Sequence, residues 1–579
     1  MTTRITLDGS TLRVASAYEH HLRCKGVPGA RWNPALKQWE YPSHPEIAVA
    51  LLRAFDSVPV TLDEGAAALA KAFEDGLATA ARAKAINVND LPPIPLTKTP
   101  PWPHQVAAFW FAHPLTATML AMDMRTGKSA VAILLIANRG HRRTLILCPR
   151  SVVDVWPGEF AEHCPVPVHV AALVDGSVRA RTDAAERAMK AAHAMGIPGV
   201  VIMNYEAARC ELFASWALGR DWDLVVGDEL HRCKAPPGPK GITSKFMRAL
   251  GRTAAHRLGL TGTPMPHSPL DLFGQYTFLD PTIFGPSWVA VRSRYAVMGG
   301  YGNHQVVTLR IQERLDDGHP NPYFDPALTV EFHRRFTSIA YQVKLRDVFP
   351  HIPADISLER RGSLGREGRR VYDDLERQFK ADVRGGIVTA VNAMTRLIRL
   401  QQCTSGYVRL DPDTPGGDAC DVPVDDGKTQ LLTDVFEDFA PHEPLVVFSR
   451  FHHDLDAIHA VAKKTGRTSL ELSGRRKELA AWQAGEADVL AVQEQAGGVG
   501  IDLSRSKYGI FYSLTWSLGD FEQAMSRLNS HRQTQPATHI HLVMRGTVDE
   551  HMYSARRARR DVVASVLEGY RTGERDGAQ

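Results

Sequence analysis

Cysteine is scarce in this chain of 579 residues, and its seven copies, Cys24, Cys148, Cys164, Cys210, Cys233, Cys403 and Cys420, never form a Cys-x-x-Cys pair. That spacing argues against a zinc site and a disulfide framework and points to a reducing compartment. Histidine is commoner, at 24, but no HExxH or comparable ligand spacing occurs, so the histidines mark no metal centre. Long apolar runs are also missing. AVAILLIA at 130–137 is too short to span a bilayer, and the first residues lack the basic-then-apolar pattern of a secretory signal. The chain therefore reads as cytoplasmic with no membrane partner. A net charge of +4, from 68 Lys and Arg against 64 Asp and Glu, is too small for bulk attraction, so any nucleic-acid contact must come from local clusters. The preference for Arg over Lys and the abundance of Ala hint at a GC-rich bacterial or phage genome.

The remaining composition, 44% hydrophobic and 23% charged, is that of a folded globular protein, and at about 150 residues per domain it implies about four units. Residues 1–60 combine strand-like alternation in RITLDGSTLRV with turn-separated aromatic strands in VPGARWNPALKQWEYP, which predicts a small α+β module. Residues 61–99 pass from an Ala-rich helical pattern into the proline-rich LPPIPLTKTPP, a linker. Over 100–285 short apolar runs (TLILCP, GVVIMNY, DLVVGDE, RLGLTGTP) alternate with helical patterns, and over 425–555 LVVFSRF, DVLAVQ, YGIFYS and HIHLVM do the same. Such alternation predicts two parallel-sheet lobes wrapped by helices. The stretch 286–424 reads as helical insertions and the inter-lobe connection, and 556–579 as a basic tail. The fold class is thus α/β, two parallel-sheet lobes with helical insertions and a small α+β N-terminal module.

MRTGKS at 124–129 follows the apolar LTATMLAMD and opens the helical SAVAILLIANR. This strand, loop and helix order is what a phosphate-binding loop requires. Thr126 and Gly127 supply backbone, Lys128 reaches phosphate oxygens, and Ser129 holds Mg²⁺. The first glycine of the usual pattern is absent. About 100 residues later, DLVVGDELH delivers Asp228 and Glu229 at the end of an apolar strand, where α/β sheets bind ligands. There Asp228 is placed to hold Mg²⁺ and Glu229 to polarise an attacking water.

Several blocks, in order over 100–555, resemble the Swi/Snf-type branch of the superfamily-two helicase-fold ATPases, whose lobes are RecA-like. PWPHQ resembles the adenine-reading segment, here Gln105. CPRSVVDVWPGEF, with Arg150, and VVIMNYE resemble DNA-facing elements, and GDELH, with His231, a DEAH-like box. LTGTP, with Thr261, Gly262 and Thr263, resembles the motif that couples hydrolysis to lobe movement. QAGGVGIDL, with Gly498 and Gly500, and FEQAMSRLNSHRQTQ, with Gln523 and Arg527, resemble the last two motifs. DDGKTQLLTDVF resembles the entry to lobe two and GTVDEHMY the segment that closes it. The resemblance implies ATP and Mg²⁺ as cofactors and double-stranded DNA as partner, with catalysis by Lys128, Asp228, Glu229 and an arginine finger.

Two positions depart from that family. Ser530 stands where a second arginine is expected, three residues after Arg527, leaving Arg532 as the next candidate from another side of a helix. His267 stands where the family places asparagine. The N-terminal VPGARWNPALKQWEYP resembles the HARP-type module of annealing helicases, which implies forked or branched DNA. Arg31 and Lys37 are then phosphate contacts, Trp32, Trp39 and Tyr41 are stacking candidates, and Trp39 is assigned to the module's core. The basic cluster at 556–560 is either a phosphate track or a solvated helix face. The expected activity is an ATP-dependent double-stranded-DNA translocase that remodels or reanneals DNA as a monomer in a bacterial or phage-infected cell. The rivals are a strand-separating DNA or RNA helicase and a weakly hydrolysing, ATP-gated DNA-binding module. If the second arginine's absence limits turnover, Ser530→Arg raises DNA-stimulated ATPase activity; an unchanged or lower rate would refute that limitation.

Overall fold

The computed structural model describes residues 3–9, 11–27, 30–43, 45–55, 58–71, 90–236, 241–266, 268–285, 287–299, 306–315, 319–378, 380–383, 386–389, 393–410, 420–494, 501–515, 518–530 and 533–554. His267, Gly498, Gly500, Arg532 and the basic cluster at 556–560 lie outside them.

The N-terminal unit contains β1 (Thr3–Asp8), β2 (Thr11–Ala15), β3 (Arg31–Asn33), β4 (Gln38–Pro42) and β5 (Val60–Leu62), in the order β3-β4-β2-β1-β5. All pairs are antiparallel except β1 with β5. Ile5, Leu12, Val14, Tyr41, Leu51 and Phe55 form its core, and the Tyr41 hydroxyl donates to the Cys24 carbonyl at 2.8 Å. Ala66 and Ala70 pack into the same core, so the unit continues past the boundary expected at residue 60.

The first lobe is built on β6 (Ala117–Met122), β7 (Arg143–Cys148), β8 (His169–Ala172), β9 (Gly199–Asn204), β10 (Leu224–Asp228) and β11 (His256–Thr261). After β12 (Ala296–Gly299) and β13 (Val306–Leu309), which pair antiparallel, β14 (Ala340–Val343) completes the sheet. The order is β14-β6-β11-β10-β7-β9-β8, parallel throughout. Both faces are covered, which is why these strands are nearly uniform apolar runs. Met119, Leu145, Val201 and Val225 enter one core, and Leu120, Ile146, Val200 and Val226 the other, following the two-residue period of a strand.

The second lobe repeats the plan with β15 (Ile356–Gly362), then the antiparallel pairs β16 (Lys380–Val383) with β17 (Gly386–Thr389) and β18 (Tyr407–Arg409) with β19 (Asp421–Pro423). Its sheet continues with β20 (Leu445–Ser449), β21 (Ser469–Leu472), β22 (Val489–Gln493), β23 (Tyr508–Phe511) and β24 (Thr538–Met544). The order is β15-β24-β23-β20-β22-β21, again parallel.

The reading of 286–424 as helical connection needs correction. It does contain the helices Arg366–Gln378 and Ala393–Thr404, but β14 closes one sheet and β15 opens the other. Both are edge strands, and β15 has no buried residue, so hydrophobic patterning does not announce it. Among the described residues no helix is long and apolar enough to cross a membrane.

The second lobe is tied across its ends by a buried ion pair. Lys428 Nζ donates to Asp549 Oδ2 at 2.6 Å, and Asp549 also accepts from Thr404 Oγ1 at 3.0 Å. Removing one member leaves a buried charge without its partner. Asp549→Ala should therefore destabilise the second lobe by about 3–5 kcal/mol in chemical denaturation; a loss below about 1 kcal/mol would show that the pair is dispensable.

Candidate active site in the cleft between the lobes

Parallel pairing puts the carboxyl ends of adjacent strands together, which is where open α/β sheets bind ligands. β6 runs into 123–127, β10 ends on Asp228, and β11 ends on Thr261, with Asp228 in register with Leu260 and Thr261 with Ala121. Thus the phosphate-type loop, the acidic pair and the TGT segment share one edge.

Gly127 starts the helix Lys128–Asn138 with φ 76°, a left-handed conformation that favours glycine. A Cβ there would also collide with the Gln105 amide. Gln105 is buried, its Oε1 accepting from Trp102 N at 2.8 Å and its Nε2 donating to Thr126 O at 3.3 Å. It therefore clasps the loop. The buried Thr126 hydroxyl closes the turn onto Asp123 O at 2.7 Å. Asp123 Oδ2 accepts from Leu345 N at 2.8 Å, so the segment after β14 braces the loop from below.

Lys128 Nζ donates to Met122 O at 2.8 Å and Asp123 O at 3.0 Å. Burial pulls its ammonium below the usual lysine value, while Glu229, Asp228 and Asp123 oppose that shift. Burial, with Glu229 beside it, raises the Asp228 carboxyl. Glu229 moves the other way: burial disfavours its charge, but His231, Lys128 and Arg232 together outweigh burial. Glu229 is buried with φ 52°, a left-handed backbone unusual for a side chain of this size. Its Oε2 is buried without a hydrogen-bond partner, although His231 Nδ1 lies 3.3 Å away. A carboxylate kept charged, strained and incompletely satisfied can take part in proton transfer to or from a water.

His231 Nδ1 also lies 3.1 Å from Thr261 Oγ1, which accepts from Thr263 N at 3.1 Å. Gly262 packs toward Met124 of the loop. The acidic pair, the TGT segment and the phosphate-type loop are thereby joined through short links.

Two residues that had been read only as part of a DNA-facing block belong here. From the helix Trp156–His163, Trp156 Nε1 donates to Asp228 Oδ2 at 3.2 Å, and the Glu159 carboxyl, raised by burial, has the Ser129 hydroxyl among the groups that oppose that shift. One helix turn thus holds both oxygen donors assigned to Mg²⁺. Their hard oxygen chemistry fits that ion, which takes few protein ligands and completes its shell with phosphate and water. The signal was the tryptophan and glutamate three residues apart, which share a helix face.

The second lobe reaches the same cleft. Arg527 is buried, and burial lowers its guanidinium to about 10 while the charge of Glu229 opposes the shift. Gln523 lies on the adjoining helix Leu518–Ser526. That helix stops at Ser526, one residue before Arg527, and the expectation for Arg532 falls on a residue outside the described ones. The carbonyls of Arg527 and Asn529 are instead taken by Arg125, and that of Arg527 also by Leu503 N. The remaining DNA candidates lie at the surface. Arg150 is exposed in a turn after β7, and Arg31 and Lys37 are exposed in the β3–β4 hairpin. In that hairpin Trp39 is partly buried against the module core, whereas Trp32 is 51% exposed and meets Trp39 edge-on at 5.4 Å.

Comparison with known proteins matches residues 53–293 to the SNF2-related domain and residues 427–531 to the helicase conserved C-terminal domain. Putative protein p41 of Acyrthosiphon pisum secondary endosymbiont phage 1 is 25% identical, over 77% of this chain and 93% of its own length. The Danio rerio Chromodomain-helicase-DNA-binding protein 1-like is 23% identical over 80% of this chain, and the Drosophila persimilis DNA repair and recombination protein RAD54-like 21% identical over 75%. The chain spans 43% and 57% of those two proteins. Among solved structures, the Sulfolobus solfataricus SWI2/SNF2 ATPase core in complex with dsDNA is 17% identical with a TM-score of 0.37, over 80% of this chain and 91% of that one.

Trp156→Phe keeps an aromatic side chain while removing the N–H that holds Asp228, together with part of the buried indole. It should lower Mg²⁺-dependent nucleotide hydrolysis about tenfold, the low end for a partner of a metal ligand; wild-type turnover at limiting Mg²⁺ would rule out the positioning role.

Proposed function

We propose that this chain, which belongs to the SNF2-type helicase-fold ATPases through its SNF2-related and helicase C-terminal domains, is an ATP-dependent translocase on double-stranded DNA that remodels or reanneals forked and branched substrates. The observation that carries the reading is Arg527 of the second lobe, buried in the field of Glu229 of the first. An acid-base carboxylate and a cation supplied from separate bodies make phosphoryl transfer depend on their approach.

In this reading Gln105 serves the adenine and the loop, and the backbone of Thr126 and Gly127 cradles phosphate. Lys128 moves from the Met122 and Asp123 carbonyls to the β and γ oxygens, and Glu229 orients and deprotonates the attacking water. Arg527 stabilises charge on the transferring group. Ser129 and Asp228 hold Mg²⁺, which neutralises phosphate charge when bound. His231 passes the state of Glu229 to Thr261, and from there to the loop that faces the second lobe.

DNA as the track is supported by relatives named for DNA repair, recombination and DNA binding. A phage relative supports a bacterial or phage-infected cell as the setting. For branched DNA the support is local. Exposed Trp32 beside Arg31 and Lys37 offers an aromatic face and cations on one hairpin, which suits an unpaired base at a junction.

Two assays test the proposal. Lys128→Ala abolishes ATP-driven displacement of a triplex third strand, and Glu229→Gln binds ATP but turns over about 10²-fold or more slowly. Wild-type protein displaces the third strand without separating the duplex; efficient duplex unwinding would establish a strand-separating helicase instead. Normal turnover by Glu229→Gln would show that the base lies elsewhere.

A further inference from the structure

Arg125 sits inside the phosphate-type loop with φ 63°, a conformation in which glycine would be relaxed and arginine is not. Its guanidinium does not fold back onto the loop. It crosses the cleft, with Nη2 donating to Arg527 O at 2.7 Å and to Asp502 Oδ1 at 2.9 Å, and Nη1 donating to Asn529 O. The two carbonyls flank Leu528, so one planar fork grips the turn that carries Arg527. The grip is reinforced on each side. Ser526 Oγ approaches Met124 Sδ at 2.7 Å, and Asn529 Nδ2 donates to Asp355 Oδ2 at 3.3 Å in the segment joining the lobes.

We propose that Arg125 is a positioning residue that ties the second lobe to the phosphate loop, setting Arg527 opposite Glu229 through its backbone. The inference rests on reading the cleft as the ATP site. Any displacement of the loop by bound phosphate then moves the Arg527 turn directly, and in the reverse direction DNA-driven motion of the second lobe moves the loop. Lysine is a poor substitute for this arginine, because an ammonium is one point charge and lacks the rigid fork whose two nitrogens reach the separate carbonyls of Arg527 and Asn529.

The test separates turnover from nucleotide binding in the full chain. Arg125→Gly relaxes the loop backbone and removes the fork; Arg125→Lys keeps charge and length. Steady-state ATPase with duplex DNA and titration with a fluorescent ATP analogue are measured for both, beside Lys128→Ala. The expected result is a fall in kcat of about tenfold or more for Arg125→Gly and about threefold or more for Arg125→Lys, with analogue affinity within about threefold of wild type. Unchanged kcat in Arg125→Gly overturns the proposal. A parallel loss of affinity in both variants also overturns it, because the guanidinium then acts on the phosphates. Should Lys128→Ala retain wild-type turnover, the site reading itself fails, which is a distinct outcome from a silent Arg125.

Discussion

The concentration of charge in a closed, poorly hydrated cleft is the constraint on which the rest of this structure depends. Asp228, Glu229 and Arg527 are buried, and Lys128 is partly so. Ions in such a place are tolerated only when each has partners of opposite sign or firm hydrogen bonds. Here the lysine rests on two carbonyls, Asp228 accepts from an indole N–H, and Glu229 balances histidine and lysine against burial. Glu229 Oε2 is buried with the His231 ring nitrogen 3.3 Å away.

The sheets make that cluster possible. Because every strand of each lobe's main sheet runs the same way, the loops that form the candidate site leave from one edge, and burial on both faces fixes their origins. Precision then comes from side chains that reach between loops: Gln105 against Gly127, His231 between Glu229 and Thr261, and the Trp156 helix against Asp228 and Ser129. Two backbone positions, Arg125 and Glu229, are held left-handed at an expected cost of roughly 1–3 kcal/mol each. Both lie where the cleft closes, so the packing around them sustains conformations that the isolated loops would abandon.

Communication between the lobes follows from the same contacts. The turn after Ser526 does not continue as helix, since its carbonyls are bonded outward to Arg125 and Leu503. This gives the first lobe direct purchase on the second at the Arg527 backbone. It also shows why Ser530 need not be read only as a loss: a guanidinium stands beside the neighbouring Asn529 carbonyl, contributed by the other lobe.

The strands that end at the candidate site were legible in the chain itself. Buried parallel strands are continuous apolar runs, and the residues that follow β6, β10 and β11 are polar, small and closely spaced. Local pattern therefore determined the α/β class, the position of the loop at 124–129 and the Asp228–Glu229 pair. It did not reveal β14 and β15, because edge strands are short or half-exposed and leave little periodicity. Nor did it separate Trp39 from Trp32 with any force: the two rings face each other on one side of the sheet, and only the sheet order, with β3 at the edge and β4 inside it, leaves Trp32 exposed while Trp39 packs on the core. Only tertiary structure assigned Trp156 and Glu159 to the oxygen donors, and only tertiary structure brought Arg125 to Arg527. Those pairings join positions far apart in the chain, and no local propensity encodes a contact whose partner arrives by the folding of a second lobe.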